Sequence, residues 1–484
     1  MAHFFKSKKN NSTRVRAGLP THKAGLIKKQ VQNVEQLSVV RLSDDGRGIA
    51  TYNSKTIFIE NALPNEIVDV TINHEKSKFY EATAHTINKK SSYRRLPQCL
   101  HFNDCGGCQL QHLVVKEQQD FKLRNVLNRL KHVGQIIPQK ILPTISGEEY
   151  RYRQRVRLSV ASINNKMLLG FRKKNSKALI DINDCSVMAP ALVPLLGWLR
   201  HWLNRYQPSV SHIELINADQ HVGLIIRHVL PISITIRHKL NELLEDASIT
   251  CWFQASKGEA LTSMDGNTCE PQLNYMLECL LGKTTKQLIY SYHPQNFIQA
   301  NAIVNQKMVN QAITLLQPAA NEIYLDLFCG VGNFSLPLSL SVKYVLGIEG
   351  SNKMVDQATS NALNNNCDNI SFKEADLFDP KAIEKLIDSN EKVDVVDGII
   401  LDPPRAGAKL ICQNIKKLSP KKILYISCDP NTFIRDAQLL IDSNYILERF
   451  GLMDMFAQTY HSEVMGLFVL KSKAHGKSPK RQIM

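Results

Sequence analysis

Long apolar runs are missing from this 484-residue chain. No stretch approaches the roughly 18 consecutive apolar residues that a membrane-spanning helix needs. The longest candidate, "MAPALVPLLGWL", is interrupted by two prolines. The first residues also lack the apolar core of a secretory signal, so a cytoplasmic protein with no membrane partner is expected. No internal repeat is evident, which removes solenoids and propellers. Acidic residues are absent from both ends: residues 1–30 carry eight Lys/Arg and no Asp or Glu, and residues 471–484 carry five and none. Such tails are solvated and disordered in the usual case. With a formal net charge of +16 they favour a polyanion through counterion release, nucleic acid first. Nothing in the composition calls for an obligate protein partner.

What is present reads as an ordinary globular chain, 43% hydrophobic and 21% charged, long enough for two to four domains. Residues 34–87 supply short β-rich segments separated by turn signals such as Asp45-Gly46 and Leu63-Pro64-Asn65, the pattern of a small β-barrel. This stretch resembles a TRAM domain, an OB-like RNA-binding module. Residues 110–132 read as a helix. "RYRQRVRLSV" places Arg151, Arg153, Arg155 and Arg157 at strand spacing, so four guanidiniums are expected on one face, either solvated or against phosphates. From about residue 291, apolar runs alternate with helical segments, the pattern of a parallel sheet covered by helices.

Eleven cysteines in a cytoplasmic chain point to metal or catalysis before disulfides. "CLHFNDCGGCQ" sets Cys99, Cys105 and Cys108 at C-x5-C-x2-C, and Cys185 follows in "DINDCSVM". Gly106 and Gly107 let the backbone wrap closely and turn N–H groups toward sulfur. Four thiolates suit tetrahedral zinc or an iron–sulfur cluster, and one CxxC with a wider spacing and a remote cysteine is more ferredoxin-like than finger-like. "CGGCQLQHL" resembles the cluster motif of the bacterial RNA (uracil-5-)-methyltransferases, which implies a [4Fe-4S] cluster on these four residues.

"NEIYLDLFCGVGNFSLPLSLSVKYVLGIEGS" is the most specific stretch. A strand ending near Asp326 runs into Gly330-x-Gly332, a helix follows, and a second strand ends in Glu349, whose carboxylate can hold ribose hydroxyls. A dinucleotide site is one reading. It weakens at Ser335, which stands where the third glycine would be. "DLFCGVGNF" resembles motif I of S-adenosylmethionine-dependent methyltransferases, with Glu349 on the ribose and Asp376, beyond a third strand, at the adenine. "PQNFIQANAIVN" resembles the F-x-Q-x-N segment of the uracil-5 family. The resemblance implies that Gln299, Phe328 and Asn333 also contact the cofactor. Cys329 reads as packing.

"DGIILDPPRAG" ends a fourth strand in Asp402-Pro403-Pro404-Arg405. Enzymes that methylate amino groups carry an aromatic residue after a similar D/N-P-P, so arginine here argues against adenine-N6 chemistry and matches the uracil-5 form. Asp402 joins the cofactor-binding set on that basis. "KKILYISCDP" then stops on Cys428 as the chain turns. A lone cysteine there would ordinarily be a small buried hydrophobe. Carbon 5 of uracil, however, is too weak a nucleophile to attack a sulfonium methyl unaided. A thiolate adding at carbon 6 makes it an enolate, and a base must then remove the carbon-5 proton. "YISCDPNTFIRD" resembles the family's nucleophile motif, with Asp429 where relatives often have asparagine. Glu463 in "TYHSEVMGLFVL" matches its H-x-E base, and His461 could orient it.

The resemblance spans residues 34 to 470 and implies an iron–sulfur 23S ribosomal RNA (uracil-5-)-methyltransferase acting at position 1939 of that RNA. The expected fold class is α/β. A Rossmann-like methyltransferase domain (291–470) is preceded by a TRAM barrel (30–93) and a central α+β domain with the iron–sulfur site (94–290). Basic tails (1–29, 471–484) flank the three. Two other readings are methylation of the transfer RNA T-loop uridine and an inactive RNA-binding or redox-sensing protein.

Overall fold

The computed structural model describes residues 32–219, 221–244, 249–281, 284–381 and 395–471. Both basic tails lie outside the described residues. Among those described, no helix is long and apolar enough to cross a membrane.

Residues 32–89 form a six-stranded sheet. Period-two alternation sends Ile57, Ile59, Val68, Val70 and Ala82 to one shared core. Asn53 and Ser54, both at positive φ, make the two-residue hairpin that joins Gly48–Tyr52 to Lys55–Glu60. The buried Glu66 carboxylate anchors the chain where it leaves this sheet: Oε2 accepts from Arg94 Nη2 at 2.8 Å and from the Leu63 amide at 2.8 Å.

An eight-stranded sheet between residues 155 and 269 carries the helices Leu195–Tyr206 and Ile234–Leu244, packed through Leu199, Trp202 and Leu240. The expected arginine stripe is not built. Only Arg155 and Arg157 lie on its strand, Arg155–Ile163. Arg151 sits at φ 58 and pairs with Asp184 at 2.7 Å. The Arg155 Nη2 reaches the buried Glu214 at 2.8 Å, a carboxylate shared with Arg227 at 2.7 Å. The left-handed turn breaks the alternation on which a common face depended.

The third sheet carries the site. Its strands are β1 (Ile323–Leu327), β2 (Tyr344–Glu349), β3 (Ile370–Glu374), β4 (Gly398–Leu401), β5 (Lys422–Ser427), β6 (Tyr445–Met453) and β7 (Glu463–Leu470). Their spatial order is β3-β2-β1-β4-β5-β7-β6, with Lys140–Ile141 added beside β6. Strands β1 to β5 are parallel, and β7 runs antiparallel between β5 and β6. The all-apolar β4 and the wholly buried Ile423–Ser427 of β5 follow from coverage on both faces. Helices α1 (Ala302–Leu316), α2 (Ser335–Ser339), α3 (Asn352–Asn364), α4 (Lys409–Asn414) and α5 (Pro430–Asp442) provide most of that cover.

Two segments that precede residue 291 also pack here. The helix Val115–His132 puts Val126 and Leu130 into the core of Leu325, Ile399 and Phe433. The hairpin Leu273–Leu281/Thr284–Tyr292 puts Leu277, Tyr290 and Tyr292 beside Tyr324 and Val345. The catalytic core therefore draws on chain that composition assigns to the middle of the protein.

Candidate active site

In an open parallel sheet, ligands bind beyond the carboxyl ends of the strands where the order reverses, here between β1 and β4. Asp326, the penultimate residue of β1, is fully buried. Its Oδ2 accepts from Ser335 Oγ, while Oδ1 has no partner among the described residues. Burial pushes the carboxyl up to about 7, against the Ser335 bond and with help from Glu349. The chain then turns through Gly330 (φ 58) and Gly332 (φ 93), where a Cβ on Gly332 would stand 2.5 Å from Leu336 Cδ1. Glu349, ending β2, accepts from the Gly330 amide at 3.1 Å and the Gly350 amide at 2.8 Å.

The other expected cofactor residues fare unequally. Phe328, at φ 68, has its ring 5.8 Å from that of Phe378, so two aromatics stand beyond β1 and β3. Phe378 is 47% exposed and no motif pointed to it. Asp376 is exposed, its Oδ1 accepting from the Phe378 amide at 2.9 Å. Asn333 is committed elsewhere: its side chain exchanges hydrogen bonds with Asn305 at 3.0 and 3.1 Å, and Oδ1 also accepts from the Tyr275 hydroxyl at 3.0 Å. Gln299 lies in the loop before α1 rather than on a helix, because the helix begins only after its cap at Asn301.

Cys428 and Glu463 are brought together by strand register. Ser427 of β5 pairs with Val464 of β7, so the next rung of that ladder is Cys428 opposite Glu463. Cys428 is half-buried. Burial pushes its thiol up, the Glu463 and Asp402 carboxyls add to that, and Arg405 opposes them. Directly after it, the Asp429 side chain caps α5 by accepting from the Asn431 amide at 2.8 Å, and Pro430 takes the first helical position. Glu463 is buried with Oε2 unpartnered among the described residues, and burial together with Asp402 raises it to about 8. Asp402, just past β4, is raised to about 7 by burial and by Asp326. Two acids with raised carboxyls, Glu463 and Asp402, thus act on one thiol, with Arg405 as the cation.

The His461 ring lies 4.6 Å from that of Tyr460, and burial, Arg405, Lys122 and Arg153 push it below the ordinary histidine value. None of the described hydrogen bonds joins it to Glu463. Cys329 is buried, 4% exposed, as a packing residue would be.

The four remaining expected residues also converge. Cys99, Cys105, Cys108 and Cys185 are free thiols, each partly exposed. Burial pushes Cys108 up to about 12 and Cys185 to about 11, and the other thiols of the group contribute to both. The Gly107 amide points at Cys105 Sγ at 3.4 Å. The Gln111 side chain donates to Cys108, and the Val187 and Met188 amides face the Cys185 sulfur. Among the described residues no group of three or more His, Cys, Asp or Glu that could hold a metal ion is formed, so the structure does not show the expected iron–sulfur site. Beside this segment runs a cleft of about 1030 Å³, lined by Arg47 of the barrel, by Phe102, Arg172, Lys173 and Lys174, and by Tyr460 from the loop between β6 and β7.

The tRNA (Uracil-5-)-methyltransferase family profile matches residues 146–472, and the TRAM domain profile matches residues 28–85. The chain belongs to the RNA (uracil-5-)-methyltransferase family. It is 36% identical over 474 residues, 97% of this chain and 100% of the relative, to a protein of Shewanella sediminis named 23S rRNA (uracil(1939)-C(5))-methyltransferase RlmD. A relative of the same name from Aliivibrio salmonicida is 37% identical, over 97% of this chain and 100% of its own. Among solved structures, the Pyrococcus abyssi tRNA (uracil-54, C5)-methyltransferase in complex with S-adenosyl-L-homocysteine shares the fold. Its TM-score is 0.65 at 21% identity, covering 90% of this chain and 100% of that one.

Proposed function

We propose that this enzyme methylates carbon 5 of a uridine in 23S ribosomal RNA, the residue at 1939 named for its relatives, in the cytoplasm. What supports the chemistry is that Cys428 and the buried Glu463 are the next residues beyond the Ser427–Val464 rung and that the Glu463 carboxyl acts on the Cys428 thiol, beyond the reversal point of the sheet. S-adenosylmethionine would be held by Glu349 and the Gly330–Gly332 turn, with Phe328 and Phe378 at the adenine, and it supplies an electrophilic methyl group. The unpartnered Asp326 Oδ1 marks a buried acceptor facing that crevice.

Each step then falls to a side chain. The Cys428 sulfur bonds to carbon 6 of the uracil, and the electrons of the 5,6 double bond move toward carbon 5 and its neighbouring carbonyl. Asp402, raised to about 7 by burial and by Asp326, can in its protonated form donate a hydrogen bond to that developing oxyanion. Once carbon 5 has taken the methyl group, Glu463 removes its proton. The double bond re-forms and the thiolate leaves. Burial makes Glu463 a stronger base than an exposed glutamate once it is ionised.

The reading of the four cysteines as ligands of a [4Fe-4S] cluster rests on their spacing and on the family resemblance, since among the described residues no group of three or more His, Cys, Asp or Glu that could hold a metal ion is formed. N–H donors aimed at sulfur suit cluster thiolates. The adjoining cleft is mixed in charge, with Asp45, Glu60, Glu81 and Asp104 beside Arg47, Arg172, Lys173 and Lys174.

The choice of ribosomal over transfer RNA rests on the named relatives. It does not rest on the barrel: a protein titled as a transfer RNA enzyme matches 90% of this chain, which cannot be reached without part of residues 28–85. The test is methyl transfer from labelled S-adenosylmethionine to 23S and transfer RNA transcripts, with the modified base mapped. Label in the T-loop and none in 23S RNA would overturn the substrate assignment.

A further inference from the structure

The loop 454–462 joins β6 to β7 and delivers Glu463 to the site. Gln458, at its turn, is fully buried and held at φ 68. A side chain with a Cβ stays in that conformation only where its surroundings over-determine it. Here every polar group of Gln458 is engaged. Its carbonyl accepts from the amides of Gln109 and Leu110, both at 3.0 Å, immediately after Cys108. Its amide donates to Gln118 Oε1 at 3.0 Å. Its Oε1 accepts from Gln118 Nε2 at 3.0 Å and Arg95 Nη2 at 3.1 Å, and its Nε2 donates to the Glu149 carbonyl at 3.2 Å. Arg95 also holds the carbonyl of Gln111, whose side chain accepts from the Cys99 amide at 3.0 Å. Next door, Ala457 packs with Cys108, Cys185 and Tyr152. The segment that carries three of the four cysteines and the loop that leads into Glu463, the first residue of β7, are therefore one hydrogen-bonded unit, although about 350 residues of sequence separate them.

We propose that Gln458 is a positioning residue for proton removal. It fixes the loop that sets the Glu463 carboxyl against carbon 5, and it couples that placement to the order of the four-cysteine segment. This rests on the reading of Glu463 as the base. Cys428, the first residue after β5, follows a strand paired on both sides with β4 and β7, and none of the described hydrogen bonds joins it to this loop. A disturbance at Gln458 therefore falls on the second half of the reaction, in which Glu463 takes the carbon-5 proton, the 5,6 double bond re-forms and the Cys428 thiolate is expelled.

Gln458→Met keeps volume and backbone conformation and deletes the side-chain bonds, and Gln118→Met deletes the same pairing from the other side. Each holoenzyme, with iron content measured, is given the RNA substrate and labelled S-adenosylmethionine. Two rates are read: methyl incorporation in the first turnover, and decay of the denaturation-resistant enzyme–RNA adduct. The expected result is incorporation within about twofold of the parent and decay slowed about tenfold or more, the scale of a misplaced catalytic group. Gln458→Asn, which tolerates positive φ, should recover part of the loss. Equal falls in both rates would make Gln458 a merely structural residue and overturn the proposal, as would no change in either. If Gln458→Met does not fold, Gln118→Met decides the matter on the same network by the same two rates. A Glu463→Gln enzyme that traps no adduct overturns the base assignment and this inference with it. One that traps, beside a Gln458→Met enzyme that releases normally, overturns this inference alone.

Discussion

Two groups of thiols in this protein are placed by opposite means. Cys428 stands at the end of a parallel strand, opposite Glu463 by antiparallel register, so its position follows from the ladder β4-β5-β7. Cys99, Cys105 and Cys108 sit on a loop, and Cys185 on another. Their positions depend on side-chain and amide hydrogen bonds such as Gln111 to the Cys99 amide and Gly107 to Cys105 Sγ. A site built on strands keeps its geometry when one side chain is changed. A site built on loops depends on what its thiols bind, and its loss should spread into the fold.

That contrast is broken first at Cys428. Cys428→Ala should fold as the parent does and lose methyl transfer by roughly 10⁴-fold or more, as when a nucleophile is removed. It should form no adduct with RNA carrying 5-fluorouridine. Residual adduct on denaturing gels would give the nucleophile's role to another residue.

Glu463→Gln should divide the reaction. Attack and methylation proceed, release slows by roughly 10²- to 10⁴-fold, and the adduct accumulates on unmodified substrate. The same substitution has a signature in stability. The folded protein holds the Glu463 proton up to about pH 8, whereas the unfolded chain loses it near 4.5. A raised folded pKa gives a contribution that is complete below the unfolded value and is lost as pH rises through the folded one. The parent's thermal midpoint should therefore fall between about pH 5 and 8 more steeply than that of Glu463→Gln. Parallel midpoints across that range would remove the buried carboxyl as the cause.

Cys108→Ser should act on the fold. Iron should be lost from anaerobically purified protein, the yield of folded enzyme should drop, and protease sensitivity should appear between residues 95 and 113. Stoichiometric zinc without iron in the parent would reassign the site. Full yield with full activity in the variant would mean that the loop stands without its ligand.

How much of the fold and site is legible in the sequence depends on the range of the contacts. The turn Asp326 to Glu349 is local: strand, glycines, helix, strand, each signalled within a few residues, and the structure sets it out in that order. The strand ends at Asp402 and Cys428 are legible for the same reason. The register that faces Glu463 with Cys428 is not, because β7 inserts between β5 and β6 and nothing local announces an antiparallel neighbour in a parallel sheet. Nor is the buried Lys122–Asp454 pair, 2.7 Å across, which ties the helix Val115–His132 to the loop after β6. Nor are the hydrogen bonds of Asn333, because its partners, Asn305 and Tyr275, lie 28 and 58 residues away.

The arginines give the smallest expected effect and separate the two kinds of placement once more. Arg155 is bound into the central sheet: Glu214 takes its Nη2, and the Asn296 carbonyl takes its Nη1 at 2.6 Å. Arg153 makes one side-chain hydrogen bond, to the Arg155 carbonyl at 3.1 Å, and no ion pair among the described residues. Its charge is felt by His461 at the mouth of the site. Alanine at 155 leaves the buried Glu214 to Arg227 alone and should cost about 1–3 kcal/mol of stability, the scale of a hydrogen bond to a charged group. The salt dependence of RNA binding should not move. Alanine at 153 should leave stability within about 0.5 kcal/mol and lower the slope of log affinity against log salt by about one, the signature of one phosphate contact. If the slope falls at 155 and stays at 153, the guanidinium that meets RNA is the one bound to Glu214. The central sheet must then release that pair when RNA docks.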